Sequence, residues 1–146
     1  MNTVANILRV KTSQSVQTIA PTATVLDAVK LMAVHHIGAL PVVENGHIVG
    51  IVTERDYARK VALMGRSSES TPVRDIMTSE VMYVSPLQTN EECMALMTEN
   101  RMRHLPVIDK GQLIGLISIG DLVKDIISEQ QFVIEQLEHY IRGELA

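Results

Sequence analysis

The stretch LPVVENGHIVGIVTERD, residues 40–56, returns 65 positions later as LPVIDKGQLIGLISIGD, residues 105–121. Leu-Pro-Val opens both copies. Gly46 and Gly50 fall on Gly111 and Gly115, and Thr53-x-x-Asp56 is answered by Ser118-x-x-Asp121. The match runs without a gap from 21–61 onto 86–126, so an internal repeat sets the unit of the fold. A unit of about 60 residues buries little surface by itself. Two copies packed around a pseudo-twofold axis are therefore expected, and any cleft on that axis is lined twice by equivalent residues.

Outward from that stretch, each copy repeats one order of elements. In the first, 16–19 reads as a short strand ending at Ala20-Pro21, and Thr24-x-x-Asp27 starts a helix with a capping-box signal. Val25, Ala28, Val29 and Met32 keep helical spacing. Residues 39–44 form a strand, Asn45-Gly46 a two-residue hairpin turn and 47–53 the returning strand. A second helix opens at Thr53 and runs to about Met64. The second copy answers with strand 81–84, helix 90–100, strand 104–109, turn Lys110-Gly111, strand 112–118 and a helix from Ile119. Residues 65–72 are polar and small and read as a loop, either a plain linker or a flap that closes on bound phosphate. A short helix at 73–77 is matched near the N-terminus by 3–8. The chain divides into repeats 9–65 and 73–128 and a C-terminal helix, 129–146, in an α+β fold. Ile126, Ile127, Val133, Ile134, Leu137 and Ile141 recur along that last helix at rough 3–4 spacing. They cover its own domain or meet a second copy.

Composition removes several function classes. Of 146 residues 46% are hydrophobic but 3% aromatic, with no Trp, so the core is built from Val, Ile, Leu and eight Met. A formal net charge of −4 supplies no basic field for nucleic acid. Tyr57, Tyr83, Phe132 and Tyr140 are too few for a base-stacking platform. Cys93, the only cysteine, excludes an intrachain disulfide and fits a reducing compartment. The opening MNTVANILRVK lacks the apolar stretch of a signal peptide, and no apolar run approaches the roughly 20 residues that span a bilayer. A cytoplasmic protein without membrane or nucleic-acid partners is expected.

Polar residues repeat most strictly where a strand delivers the chain into a helix, at Thr53/Asp56 and Ser118/Asp121. One reading is N-capping, worth about 1 kcal/mol. The other uses the same geometry for a nucleotide. Free N–H groups at a helix tip favour phosphate, and an Asp one turn in accepts hydrogen bonds from vicinal ribose hydroxyls. Recurrence of the pair beside matched glycines favours the nucleotide. Five histidines (35, 36, 47, 104, 139) lack metal-ligand partners at suitable spacing. Cys93, aligned with Ala28, reads as a small buried residue. No metal and no catalytic cofactor are expected.

The stretches HHIGALPVVENGHIVGIVTERDYARKV and NRMRHLPVIDKGQLIGLISIGDLVKDI resemble the cystathionine-β-synthase (CBS) domain, and the chain resembles a tandem CBS pair, or Bateman module. ERDYARK, GRSS, VRDIMT and SIGDLVK resemble a narrower group of stand-alone CBS-pair proteins. The resemblance implies a three-stranded mixed sheet with two helices per repeat. It also implies an adenine nucleotide (AMP, ADP, ATP or NAD) in clefts between repeats. Asp56 and Asp121 would hold ribose, and Thr53 and Ser118 phosphate or ribose. The adenine slot would lie between the first strands (Thr18-Ile19, Tyr83-Val84) and Leu40-Pro41 or Leu105-Pro106.

The copies also differ. His36, Gly38 and Ala39 align with Arg101, Arg103 and His104. Three such groups before a strand suit phosphate, and the resemblance carries that role onto Arg103 and His104. Arg101 reads equally as a basic helix end. Arg55 stands where the second copy has Gly120, after Ile119, and the glycine leaves room for a larger ligand. The better-equipped site is expected to combine Ser118, Asp121, Arg103 and His104. The chain reads as a ligand sensor that signals to a separate, unidentified protein or through a homodimer. The rivals are a dimerisation adaptor without ligand and a small nucleotide-processing enzyme, the latter opposed by the lack of a nucleophile–base pair.

Overall fold

A computed structural model describes residues 2–11 and 16–143. Residues 12–15 of the first repeat and 144–146 of the expected C-terminal helix lie outside the described residues. Each half is centred on an antiparallel hairpin, β1 (Ala39–Glu44) with β2 (His47–Thr53) and β3 (His104–Asp109) with β4 (Gln112–Ser118). Asn45 (φ 53°) and Gly46 (φ 78°), and likewise Lys110 (φ 52°) and Gly111 (φ 78°), take the two left-handed conformations that a tight hairpin turn needs. Five α-helices accompany them among the described residues: α1 (Val4–Val10), α2 (Val25–His35), α3 (Glu54–Tyr57), α4 (Asn90–Glu99) and α5 (Ile119–Ile141). α3 does not run on as a regular helix to Met64. It widens at Ala58–Ala62, where the Leu63 N–H reaches back to the Ala58 carbonyl.

The expectation of three-stranded sheets is overturned: among the described residues both sheets have two strands. The segments read as strands 16–19 and 81–84 each contribute one bridged residue, Ile19 to Val42 and Val84 to Val107, in parallel. The prolines of the repeat explain why. Ile19 donates to the Pro41 carbonyl (3.1 Å) and accepts from the Val43 N–H (2.9 Å). Two residues earlier, the ladder would need an N–H from Pro41. Two residues later, it would need one from Pro21. Neither ring nitrogen can donate. Pro106 and Pro86 cut the ladder identically around Val84, and a bulge at Val42/Val43 and at Val107/Ile108 disturbs the register at the same point.

The cores are built by exchange. Val73 and Ile76, at the very start of the second repeat, are buried with Val25, Ala28, Leu40, Val52 and Val61 of the first. Val4 and Ile7, which precede the first repeat, are buried with Val84, Cys93, Leu105, Ile117 and Leu122 of the second. Each lead-in segment thus completes the other half. Backbone pairing is equally reciprocal, Thr24 with Pro72 and Thr3 with Thr89. The repeated glycines of β2 and β4 make room for these segments. A Cβ on Gly50 would sit 2.6 Å from Met77 Sδ, and one on Gly115 would sit 2.7 Å from Leu8 Cδ2. The start of α5 is anchored by Leu122 and by buried Asn90, whose amide donates to the Leu122 carbonyl (3.0 Å) and to Asp125 (2.8 Å).

Candidate functional site

Both Thr/Ser-x-x-Asp tips form as reciprocal capping boxes. At the β2–α3 junction the Asp56 N–H donates to Thr53 Oγ1 (3.1 Å), and Asp56 Oδ2 accepts from the Thr53 N–H (2.9 Å) and from its hydroxyl (3.1 Å). At the β4–α5 junction the Asp121 N–H donates to Ser118 Oγ (3.2 Å), and the Ser118 N–H donates to Asp121 Oδ2 (2.9 Å). Each carboxylate also meets a lysine, Lys60 at 3.2 Å from Asp56 and Lys11 at 2.9 Å from Asp121. The capping reading is therefore realised at both tips, and it orients the carboxylates.

A cavity of about 390 Å³ lies between the halves at the first tip. Thr53, Arg55 and Asp56 line it from the first repeat, and Arg101, Arg103, His104 and Pro106 from the second. Arg55 Nη1 donates to the Arg101 carbonyl (3.3 Å), which ties the tip to the end of α4. Sequence reasoning missed part of this wall: Gly38, Ile51, Glu54, Arg59, Thr78, Glu80, Met82, Asn100 and Met102. Arg59 was legible, because it lies one helical turn beyond Arg55. Thr78, Glu80 and Met82 arrive because Ile51 and Thr78 exchange both backbone hydrogen bonds (3.0 and 2.9 Å), a non-local pairing with no local signal. Four arginines (55, 59, 101, 103) and three acids (Glu54, Asp56, Glu80) surround the space. That balance, with fork-shaped donors on two walls, is suited to an anionic ligand carrying hydroxyls.

A second cavity, about 330 Å³, shares part of the repeat-equivalent wall but none of the second helix tip. Leu116, Ile37 and His35 stand where the first has Ile51, Met102 and Asn100. Lys11 also lines it, and its ammonium is committed to the Leu116 carbonyl (2.7 Å) and to Asp121. Arg103 and His104 line the cleft of Thr53 and Asp56, and Asp121 lines a further cavity with Lys11, Lys124 and Asp125. His104 nevertheless lies directly across the β3–β4 ladder from Ser118. Of the expected adenine slot, Leu40, Val84 and Leu105 are fully buried in the cores, as is the neighbouring candidate Ala39, and Pro41 is buried in β1. Ile19 and Ile119 pack against the first and second cores, whereas Thr18, Tyr83 and Gly120 are exposed. Pro106 alone of the slot faces the cavity.

Burial pushes the His104 imidazole below the ordinary histidine range; Asp121 opposes this, and Lys11 and Arg103 reinforce it. At neutral pH the ring is uncharged, so the cleft's positive charge comes from arginine. Burial, with help from Glu92, pushes the Cys93 thiol up to about 11, which leaves it protonated and inert at neutral pH. Among the described residues no His/Cys/Asp/Glu group could hold a metal ion, and no helix is long and apolar enough to cross a membrane.

The family model for the CBS domain matches this chain twice, at residues 4–63 and 73–128. The mitochondrial CBS domain-containing protein CBSX3 of Arabidopsis thaliana is 48% identical over 125 residues, which cover 82% of this chain and 61% of that protein. This chain thus spans less than two thirds of that relative's length. The CBS domain-containing protein YhcV of Bacillus subtilis is 36% identical over 79% of this chain and 81% of its own. The solved structure of a protein with CBS domains from Burkholderia ambifaria MC40-6 superimposes with a TM-score of 0.85. It is 60% identical and covers 88% of this chain and 96% of that one.

Proposed function

Because this chain belongs to the CBS domain family, a family of regulatory, non-catalytic modules, we propose that it senses an adenine nucleotide in the cleft between its halves. The observation that carries the reading is the arginine-rich cavity at the Thr53–Asp56 tip. In it, Arg101 and Arg103 hold the phosphates, and Arg55 and Arg59 add charge from the facing wall. Asp56, oriented by its cap, accepts the ribose hydroxyls. The base rests against Ile51, Met82 and Pro106. His104 donates a hydrogen bond from its neutral ring. Ser118 and Asp121 form the tip of a second, weaker site, because Lys11 neutralises Asp121 and fills that corner.

The units of the sensor are residues 9–65 and 73–128, with 129–146 as an appended C-terminal segment that carries the rest of α5. Occupancy changes the angle between halves through differential affinity for two arrangements. The output passes to a separate protein or through a homodimer. The reduced, buried Cys93 suits work in the cytoplasm.

Calorimetry with AMP, ADP, ATP and NAD tests the reading. At least one should bind, and Arg103→Ala and Asp56→Ala should each weaken it by tenfold or more, about 1.4 kcal/mol, without lowering the melting temperature by more than a few degrees. Failure of all four to bind would leave the adaptor reading in its place.

A further inference from the structure

Beyond Ser128 the surface of α5 is exposed on every side apart from Glu129, and its apolar residues fall in one register. Val123, Ile127, Gln130, Ile134, Leu137 and Ile141 are spaced alternately four and three residues apart. This is the heptad a/d period of a coiled-coil seam, with Ile127, Ile134 and Ile141 at a and Val123, Gln130 and Leu137 at d. The seam is open along its whole length, from Val123 at 42% exposed to Ile141 at 81%, including the turns where the opposite face of α5 is anchored by Leu122. A helix that merely covered its own domain would bury this stripe, and here none of it enters either core.

The flanking positions say what covers it. One flank carries Lys124, Gln131 and Glu138, and the other Ile126, Val133 and Tyr140. In a parallel pair, flank meets opposite flank, so Val133 would face Glu138 and Ile126 would face Gln131. In an antiparallel pair, like flank meets like. Lys124 of each copy then faces Glu138 of the other, twice by symmetry, while Val133 meets Val133 and Ile126 meets Tyr140. The same alignment sets Ile127 against Leu137, Gln130 against Ile134 and Val123 against Ile141. It also places the two globular bodies at opposite ends of the paired helices.

We propose that α5 is a self-complementary dimerisation element, pairing antiparallel with α5 of a second copy through the Val123–Ile141 seam. The pairing does not depend on the nucleotide reading. Light scattering on the full chain after size exclusion should give twice the 16.1 kDa chain mass. Ile134→Glu with Leu137→Glu should return it to the monomer mass and remove the concentration dependence of its melting temperature, while the halves still unfold cooperatively, because neither side chain packs in its own core. Lys124→Glu should weaken the dimer several-fold and Lys124→Glu with Glu138→Lys should restore it. Orientation is read by disulfide formation: Ile127→Cys mixed with Leu137→Cys should cross-link, and Ile127→Cys alone should not. A monomeric wild type, a dimer indifferent to the Ile134/Leu137 change, or homotypic linkage through position 127 would overturn the proposal.

Discussion

The two halves build the same helix tip and secure its carboxylate by different routes. Asp56 is met by Lys60, one turn along its own helical segment. Asp121 is met by Lys11, which lies at the start of the first repeat and comes across the molecule with the exchanged segment. Both lysines also donate to a backbone carbonyl, Lys60 to Ile76 (2.8 Å) and Lys11 to Leu116 (2.7 Å). The first tip is therefore completed by neighbours in sequence, and the second by chain more than a hundred residues away. Duplication preserved the local device, and the surroundings diverged around it. Ala39, fully buried and inert, corresponds to the titratable His104, Gly38 to Arg103, and Val25 to Asn90. One cleft is left rich in arginine and the other is occupied at its corner by a lysine.

The reciprocity of the halves breaks first at the exchanged segments. Ile76→Ala and Ile7→Ala should each cost about 2–5 kcal/mol in urea unfolding, since both side chains are buried in the opposite half. Hydrogen exchange should locate the damage of Ile7→Ala in β3, β4 and α4. If that exchange were unchanged, the exchanged packing would not be what holds the second half together.

The matched glycines offer a finer comparison. A Cβ at Gly50 meets Met77 and also the Thr78 backbone carbonyl at 3.0 Å, whereas at Gly115 the three nearest atoms all belong to Leu8. A leucine side chain can turn away and a bridged backbone cannot. Gly50→Ala should lose about 1–3 kcal/mol and Gly115→Ala measurably less, as read by denaturant midpoints. Equal losses would mean that the side chains alone decide.

His36 and Arg101 end α2 and α4 in the same left-handed conformation, each at φ 53°. Glycine at either place should be neutral or stabilising by up to about 1 kcal/mol. Arg101→Gly should also weaken nucleotide binding in titration, and His36→Gly should not, because only Arg101 lines the arginine-rich cleft.

The smallest effect is the pH response of position 104. The folded-state pKa of His104 lies below its ordinary value of 6.5, so the unfolded chain binds more protons in that range. Its contribution to stability is complete above about pH 6.5 and is lost as the pH falls below it. Urea midpoints at pH 7.5 and 5.5 should differ less in His104→Gln than in the wild type. An unchanged difference would place the titration elsewhere.

Much of this architecture was legible because its signals are short. Asn45-Gly46 and Lys110-Gly111 specify their turns within two residues, and each Thr/Ser-x-x-acid cap closes within one helical turn. The reduction of the third strand was also written locally, in Pro21, Pro41, Pro86 and Pro106, although it emerges only when parallel pairing is drawn donor by donor. The composition of the cleft was less accessible. Thr53 and Asp56 were identifiable as a pair, but their company with Arg103 and His104, and that of Asp121 with Lys11, depends on how two cores trade their lead-in segments.

Sequence by itself determined the repeat, its turns, its caps and the apolar 3–4 spacing along the last helix, because each rests on hydrogen bonds or periodicity spanning a few residues. Only the tertiary structure decided which arginines surround which carboxylate, and which segment fills which core. Those outcomes follow from packing across the pseudo-twofold, where contacts between residues far apart in the chain are set by the shape of both halves together.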